Sequence, residues 1–172
     1  MPVSRKKIDA LSEQKVILLD EFSQVRAAIL ATARQLNPNE VARVFLGSWT
    51  ILDLLAHLRG WDFTNLQAAQ DILRGKLPDF YGQFDKGWAS YNARLIALYK
   101  EDTLEAMLIA VAESHTRLIQ YLLALSPEEL LTDQGVRHGS YKVIISRLIE
   151  AEKRDERKHL EQIENFIRSR SQ

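Results

Sequence analysis

The sequence contains no cysteine, which excludes disulfides and thiolate chemistry by the protein's own side chains. Any metal site must therefore be built from histidines and carboxylates. An excess of charge of either sign is also missing. Lys+Arg and Asp+Glu balance at 23 each, so no basic excess points to nucleic acid and no polybasic block points to anionic lipid. No apolar run approaches membrane-spanning length. The charged stretch Met1-Pro2-Val3-Ser4-Arg5-Lys6-Lys7 is followed by no apolar segment of signal-peptide type. A cytoplasmic protein with no membrane partner and no nucleic-acid partner is expected. There is no glycine-rich phosphate loop and no G-x-S-x-G elbow. Glu156 and His159 form one Glu-x-x-His, but no second copy exists, so a dinuclear carboxylate site is not expected.

With only seven glycines and four prolines, the chain is punctuated sparsely. At 172 residues it is read as one domain with a real core, residues 1–172. A first helix is predicted from about Lys6 to Leu36, where Leu18, Leu19, Phe22, Val25 and Ile29 recur at helical spacing. It stops before Asn37-Pro38-Asn39, a turn signal. Thr50 and Asp53 form a capping box for a second helix that runs to about Arg74, with Gly60 inside it marking a close helix contact. Residues 75–84 read as a loop, and a shorter helix follows from about Lys86 to Lys100. Asp102 is expected to cap a helix ending at Leu125, and Ser126-Pro127 to start one short turn. Residues 132–139 read as a polar loop in which His138 faces solvent. The last helix is expected from near Ser140 to about Ser169. No segment alternates in the manner of a strand, so the fold is all-α, a four-helix bundle with an additional shorter helix and no sheet.

Three residues stand out. Asp155 and His159 lie four apart on the last helix, which brings both side chains onto one face. They fall on the apolar stripe formed by Tyr141, Ile144, Leu148, Ala151, Ile163 and Phe166. His57 lies near the start of the second helix. Two imidazoles and a carboxylate can hold one divalent transition metal and leave positions open for water or substrate. Zinc, nickel, manganese and iron all accept such donors. The plainer alternative is a salt bridge between Asp155 and His159 or a nearby arginine. Glu152, Glu156 and His115 are the candidates for moving protons. His115 sits centrally among Leu104, Leu108, Val111, Leu118 and Leu122, an unusual place for histidine, which suits pocket lining or support of the ligands better than ligation. Trp61, Asn65, Trp88 and Tyr91, together with Phe80, Tyr81 and Phe84, are candidates for a small-molecule pocket.

These residues also carry a family resemblance. Ser48-Trp49-Thr50-Ile51-Leu52-Asp53-Leu54-Leu55-Ala56-His57-Leu58 resembles the second-helix motif of the DinB-like superfamily. Asp155-Glu156-Arg157-Lys158-His159-Leu160-Glu161-Gln162-Ile163 resembles the His-x-x-x-His segment of its last helix. The region of Trp88-Ala89-Ser90-Tyr91-Asn92-Ala93-Arg94 and Glu113-Ser114-His115 is similar to the ClbS/DfsB branch. The resemblance implies an up-down-down-up bundle with a three-residue metal site in its cleft. It maps ligands onto His57 and His159, and it maps the middle ligand, usually histidine, onto Asp155. It further implies a metal-dependent enzyme of hydrolase or thiol-dependent transferase type acting on a small molecule. The alternatives are a metal-free ClbS-like binding or protective protein and a structural bundle with a vestigial site. A homodimer is compatible with a bundle of this size, although no residue specifies one.

Overall fold

The computed structural model describes residues 5–83 and 86–169, so the expectation for Phe84 lies outside the described residues. Four long helices make the body: α1 (Arg5–Ala33), α3 (Ile51–Leu73), α5 (Leu104–Ala124) and α7 (Ile145–Ser169). Short helices α2 (Pro38–Val41) and α6 (Pro127–Leu131) turn corners, and α4 (Ala89–Tyr99) lies on α3. A single turn of 3-10 helix occupies Asp79–Gln83.

The core divides into two clusters stacked along the bundle axis, and they reveal the helix directions. One holds Phe22 of α1, Ile72 of α3, Leu122 of α5 and Ile149 of α7. The other holds Ile29 of α1, Leu54 of α3, Met107 of α5 and Ile163 of α7. Helices α1 and α7 thus run from the first cluster to the second, while α3 and α5 run back. The order is up-down-down-up. α1 packs on α5 and α7, and α3 packs on the same two. Parallel neighbours cannot be joined by a tight turn, and α4 provides the return path between α3 and α5. It lies so close to α3 that a Cβ on Gly60 would come within 2.7 Å of Leu95 Cβ. That contact explains a glycine in the middle of a helix.

Helix ends follow the capping chemistry closely. The Thr50–Asp53 box is formed, and Asn37–Glu40 and Ser126–Glu129 make two more. Two expectations need correction. The cap of α5 is Thr103, whose hydroxyl accepts from the Ala106 backbone N–H; Asp102 lies one residue too early. The last helix begins at Ile145. Residues 137–142 form instead a minimal antiparallel hairpin, with Arg137 opposite Lys142 and His138 opposite Tyr141. Gly139 adopts φ +59° in its turn, a conformation that glycine takes without steric cost. Two-residue strands are too short to show alternation in the sequence. Tyr141 consequently leaves the apolar stripe of α7 and stands exposed on the hairpin.

Candidate metal centre and cleft

The first turns of α3 bring His57 into the interior, 3% exposed, between the rings of Trp49 and Trp61 at 5.0 and 6.3 Å. Across from it, α7 presents Asp155 and His159 one turn apart. His159 Nε2 lies 3.2 Å from Asp155 Oδ2, and His57 Nε2 lies 3.8 Å from the same oxygen. One donor atom from each residue falls within 4.8 Å of the other two. Ligands about 2.1 Å from a shared tetrahedral ion stand roughly 3.4 Å apart, so modest side-chain adjustment would accommodate one. His57 and His159 are buried, and neither Nε2 has a hydrogen-bond partner. His159 Nδ1 sits 2.8 Å from Gln162 Oε1. With Nδ1–H donating to that amide oxygen, Nε2 is free to ligate a metal, the tautomer a metal-binding histidine needs; with a proton on Nε2 the ring pairs with Asp155 instead.

In the chain by itself, Asp155 and His159 also form the salt bridge expected as the plainer alternative. Contact with His159, and then with His57, holds the Asp155 carboxyl well below the usual carboxylate range, against a smaller opposing effect of burial. Burial pushes the His57 imidazole below its ordinary value, which favours the neutral ring with a free lone pair. Asp155 is the exposed member of the three, with 47% of its side chain accessible. The site therefore opens on its side.

It opens into a cleft of about 810 Å³. Trp61 and Asn65 from α3, Phe80 and Tyr81 from the 3-10 turn, and Trp88 beside α4 line one part of it. Leu148, Ala151, Glu152 and Asp155 of α7 form the facing side, with His138 and Tyr141 of the hairpin at its rim. Trp61 Nε1 donates to Asn92 Oδ1 at 3.2 Å, which fixes its ring. Tyr91 lies behind this wall, its ring 5.6 Å from Trp61 and 5.9 Å from Trp88, and contributes to a separate groove rather than to the cleft. His138, expected to face solvent, instead borders the cleft with its ring 5.0 Å from Tyr81, because the hairpin folds it inward.

The three residues considered for proton transfer separate. Glu152 faces the cleft, 8% exposed; its Oε2 accepts from Asn65 Nδ2 at 3.4 Å and its Oε1 has no partner. Burial, reinforced by the nearby Glu156 carboxylate, raises the Glu152 carboxyl well above its ordinary value. Glu156 points instead into the bundle, where Arg26 Nη2 and Nε donate to it at 2.5 and 3.1 Å. The same guanidinium grips Asp62 through Nη1 and Nη2 at 2.7 and 3.0 Å. Ser114 Oγ donates to Asp62 at 2.6 Å, and His115 Nδ1 lies 3.5 Å from it. His115 also meets the Phe22 ring edge-on at 4.7 Å. Glu156 and His115 belong to this buried network, in which neither His115 ring nitrogen makes a hydrogen bond, and do not line the cleft. Sequence reasoning passed over Arg26 and Asp62. Their signal was present: Arg26 follows Phe22 by one helical turn on the buried stripe of α1, where an arginine needs partners.

Fold and site together define a helical-bundle protein with a His/Asp/His cluster at the edge of a ligand-sized cleft. The family model of the DinB superfamily matches residues 17–163, and the chain belongs to that superfamily. Among curated proteins and among solved structures, none matches this chain. No helix among the described residues is long and apolar enough to cross a membrane.

Proposed function

We propose that this protein is a metal-dependent enzyme acting on a small molecule, with one divalent ion held by His57, Asp155 and His159. The observation that carries this reading is the convergence of two buried imidazole Nε2 atoms, with no partner besides Asp155, on one carboxylate oxygen. Buried imidazole nitrogens without partners are costly unless something absent from the protein chain satisfies them. Zinc, nickel, manganese and iron suit these donors. When bound, such an ion supplies Lewis acidity and a nucleophile at neutral pH, as hydrolysis and thiol transfer both require.

The protein's own residues do the rest. Gln162 orients His159, and the Trp49 and Trp61 rings hold His57. The aromatic walls exclude water from the reacting end of the substrate. Burial disfavours the ionised form of Glu152, so a proton taken up there can be delivered to a substrate atom in the cleft. A second reading, a metal-free binding protein, draws support from the size and aromatic lining of the cleft, which need no ion to take a ligand.

Metal analysis of purified protein after saturation with zinc or nickel separates the two readings. Near-stoichiometric binding is expected in the wild type and in Asp155→His, since imidazole is the better ligand for these ions. Asp155→Ala should hold markedly less. Stoichiometry near zero in all three proteins would overturn the metalloenzyme and leave the binding protein.

A further inference from the structure

The cleft is electrically two-ended. Arg147, Leu148, Ala151, Glu152 and Asp155 project from one face of α7 along its length. Arg147 and Asp155 are eight residues apart, about 12 Å along the helix axis. Asp155, with the two imidazoles, makes one end a cation site. At the other end Arg147 lies over the Tyr141 ring, 5.7 Å from its centroid, and donates Nη1–H to the Lys142 carbonyl at 3.3 Å. No carboxylate among the described residues pairs with this guanidinium, whereas the neighbouring Arg137 and Lys142 are both taken up by Asp133. Between the two ends, Trp61, Phe80 and Trp88 form a continuous aromatic wall with ring centroids 5.6 to 6.2 Å apart. Midway stands Glu152 Oε1, buried and without a partner, beside the Asn65 carboxamide.

We propose that the cleft takes an elongated aromatic anion, its rings against the Trp61–Trp88 wall and its anionic group on Arg147. The reactive end then points at Asp155. That last orientation rests on the proposed metal site, but the binding does not. Arg147 selects for negative charge because its fork of N–H donors matches a carboxylate or phosphate and is not taken up by either acid of the cleft wall, Glu152 and Asp155, which lie five and eight residues further along α7.

The test uses the metal-free protein in the presence of chelator, so that failure of metal binding cannot disguise the result. Calorimetric titration with biphenyl-4-carboxylate, biphenyl-4-carboxamide and biphenyl-4-ylmethylamine compares three head groups on one ring system. The carboxylate should bind about tenfold more tightly than the carboxamide, and the amine most weakly, as expected for one charge-assisted hydrogen-bonded pair. Arg147→Met should bring the carboxylate down to the carboxamide and leave the carboxamide unchanged, while Arg147→Lys should keep part of the preference. The proposal is overturned if none of the three binds, if they bind equally, if the amine binds best, or if His57→Ala rather than Arg147→Met removes the preference.

Discussion

Two polar clusters sit side by side in this bundle and obey opposite rules. In the first, Arg26 is fully enclosed by two carboxylates, and Ser114 supplies a further hydrogen bond. Its guanidinium is held charged well above its ordinary value, because Asp62 and Glu156 outweigh the opposing effect of burial. Burial alone would raise the Asp62 carboxyl, but Arg26 and His115 bring it below its ordinary value. In the second cluster, His57 and His159 are buried too but leave ring nitrogens without hydrogen bonds beside an accessible carboxylate. The first is a charge-balanced network that ties α1, α3, α5 and α7 together, with only His115 left short of hydrogen bonds. The second is complete only with something added. Burial of polar groups is thus no sign of a site by itself; unfilled hydrogen-bonding or ligating capacity that opens onto a cleft is.

The largest way to break this contrast is Arg26→Met. It leaves Asp62 and Glu156 buried without their cation, and loss of one partner from a buried ion pair costs about 3–5 kcal/mol. Urea unfolding of metal-free protein should show that loss. A loss below about 1 kcal/mol would mean that the network contributes little to stability.

Next in size is the effect of added metal. An ion that binds only the folded state at a hundred times its Kd stabilises by about 2.7 kcal/mol. Thermal unfolding should show such a gain with zinc or nickel in the wild type, little in His159→Gln, and none traceable to the Arg26 cluster. An equal gain in His159→Gln would place the bound ion elsewhere.

Glu152→Gln sharpens the comparison through pH. A carboxyl whose folded-state value is raised contributes its stability below the ordinary carboxyl range and loses it as pH rises through the raised value. The substituted amide cannot ionise. Its advantage in melting temperature over the wild type should therefore be small near pH 4 and grow with increasing pH. A constant difference across that window would show that Glu152 titrates as an ordinary carboxyl.

The smallest effect expected is optical. Trp61 borders both His57 and the cleft, so binding of metal or ligand should change its fluorescence and the change should shrink in Trp61→Phe. An identical response in both proteins would assign the signal to Trp49 or Trp88.

Much of this molecule was legible in the order of its residues. The long helices declared themselves through period, and their ends through Thr50–Asp53 and Ser126–Pro127, because capping is settled within four residues of chain. Gly60 announced a close contact, and its partner proved to be Leu95. Asp155 and His159 could be paired from spacing alone, since the helix that carries both is local. What stayed hidden is what depends on long-range packing. The hairpin at 137–142 is held against the bundle rather than specified by alternation, and it turns His138 and Tyr141 into cleft residues. Nothing in the chain order says that Glu152 meets a cavity while Glu156, one turn later, meets Arg26 from 130 residues away. A helix face fixes direction about its own axis only; whether that direction ends in solvent, in a partner's charge or in an empty lone pair is decided when the four helices close on one another.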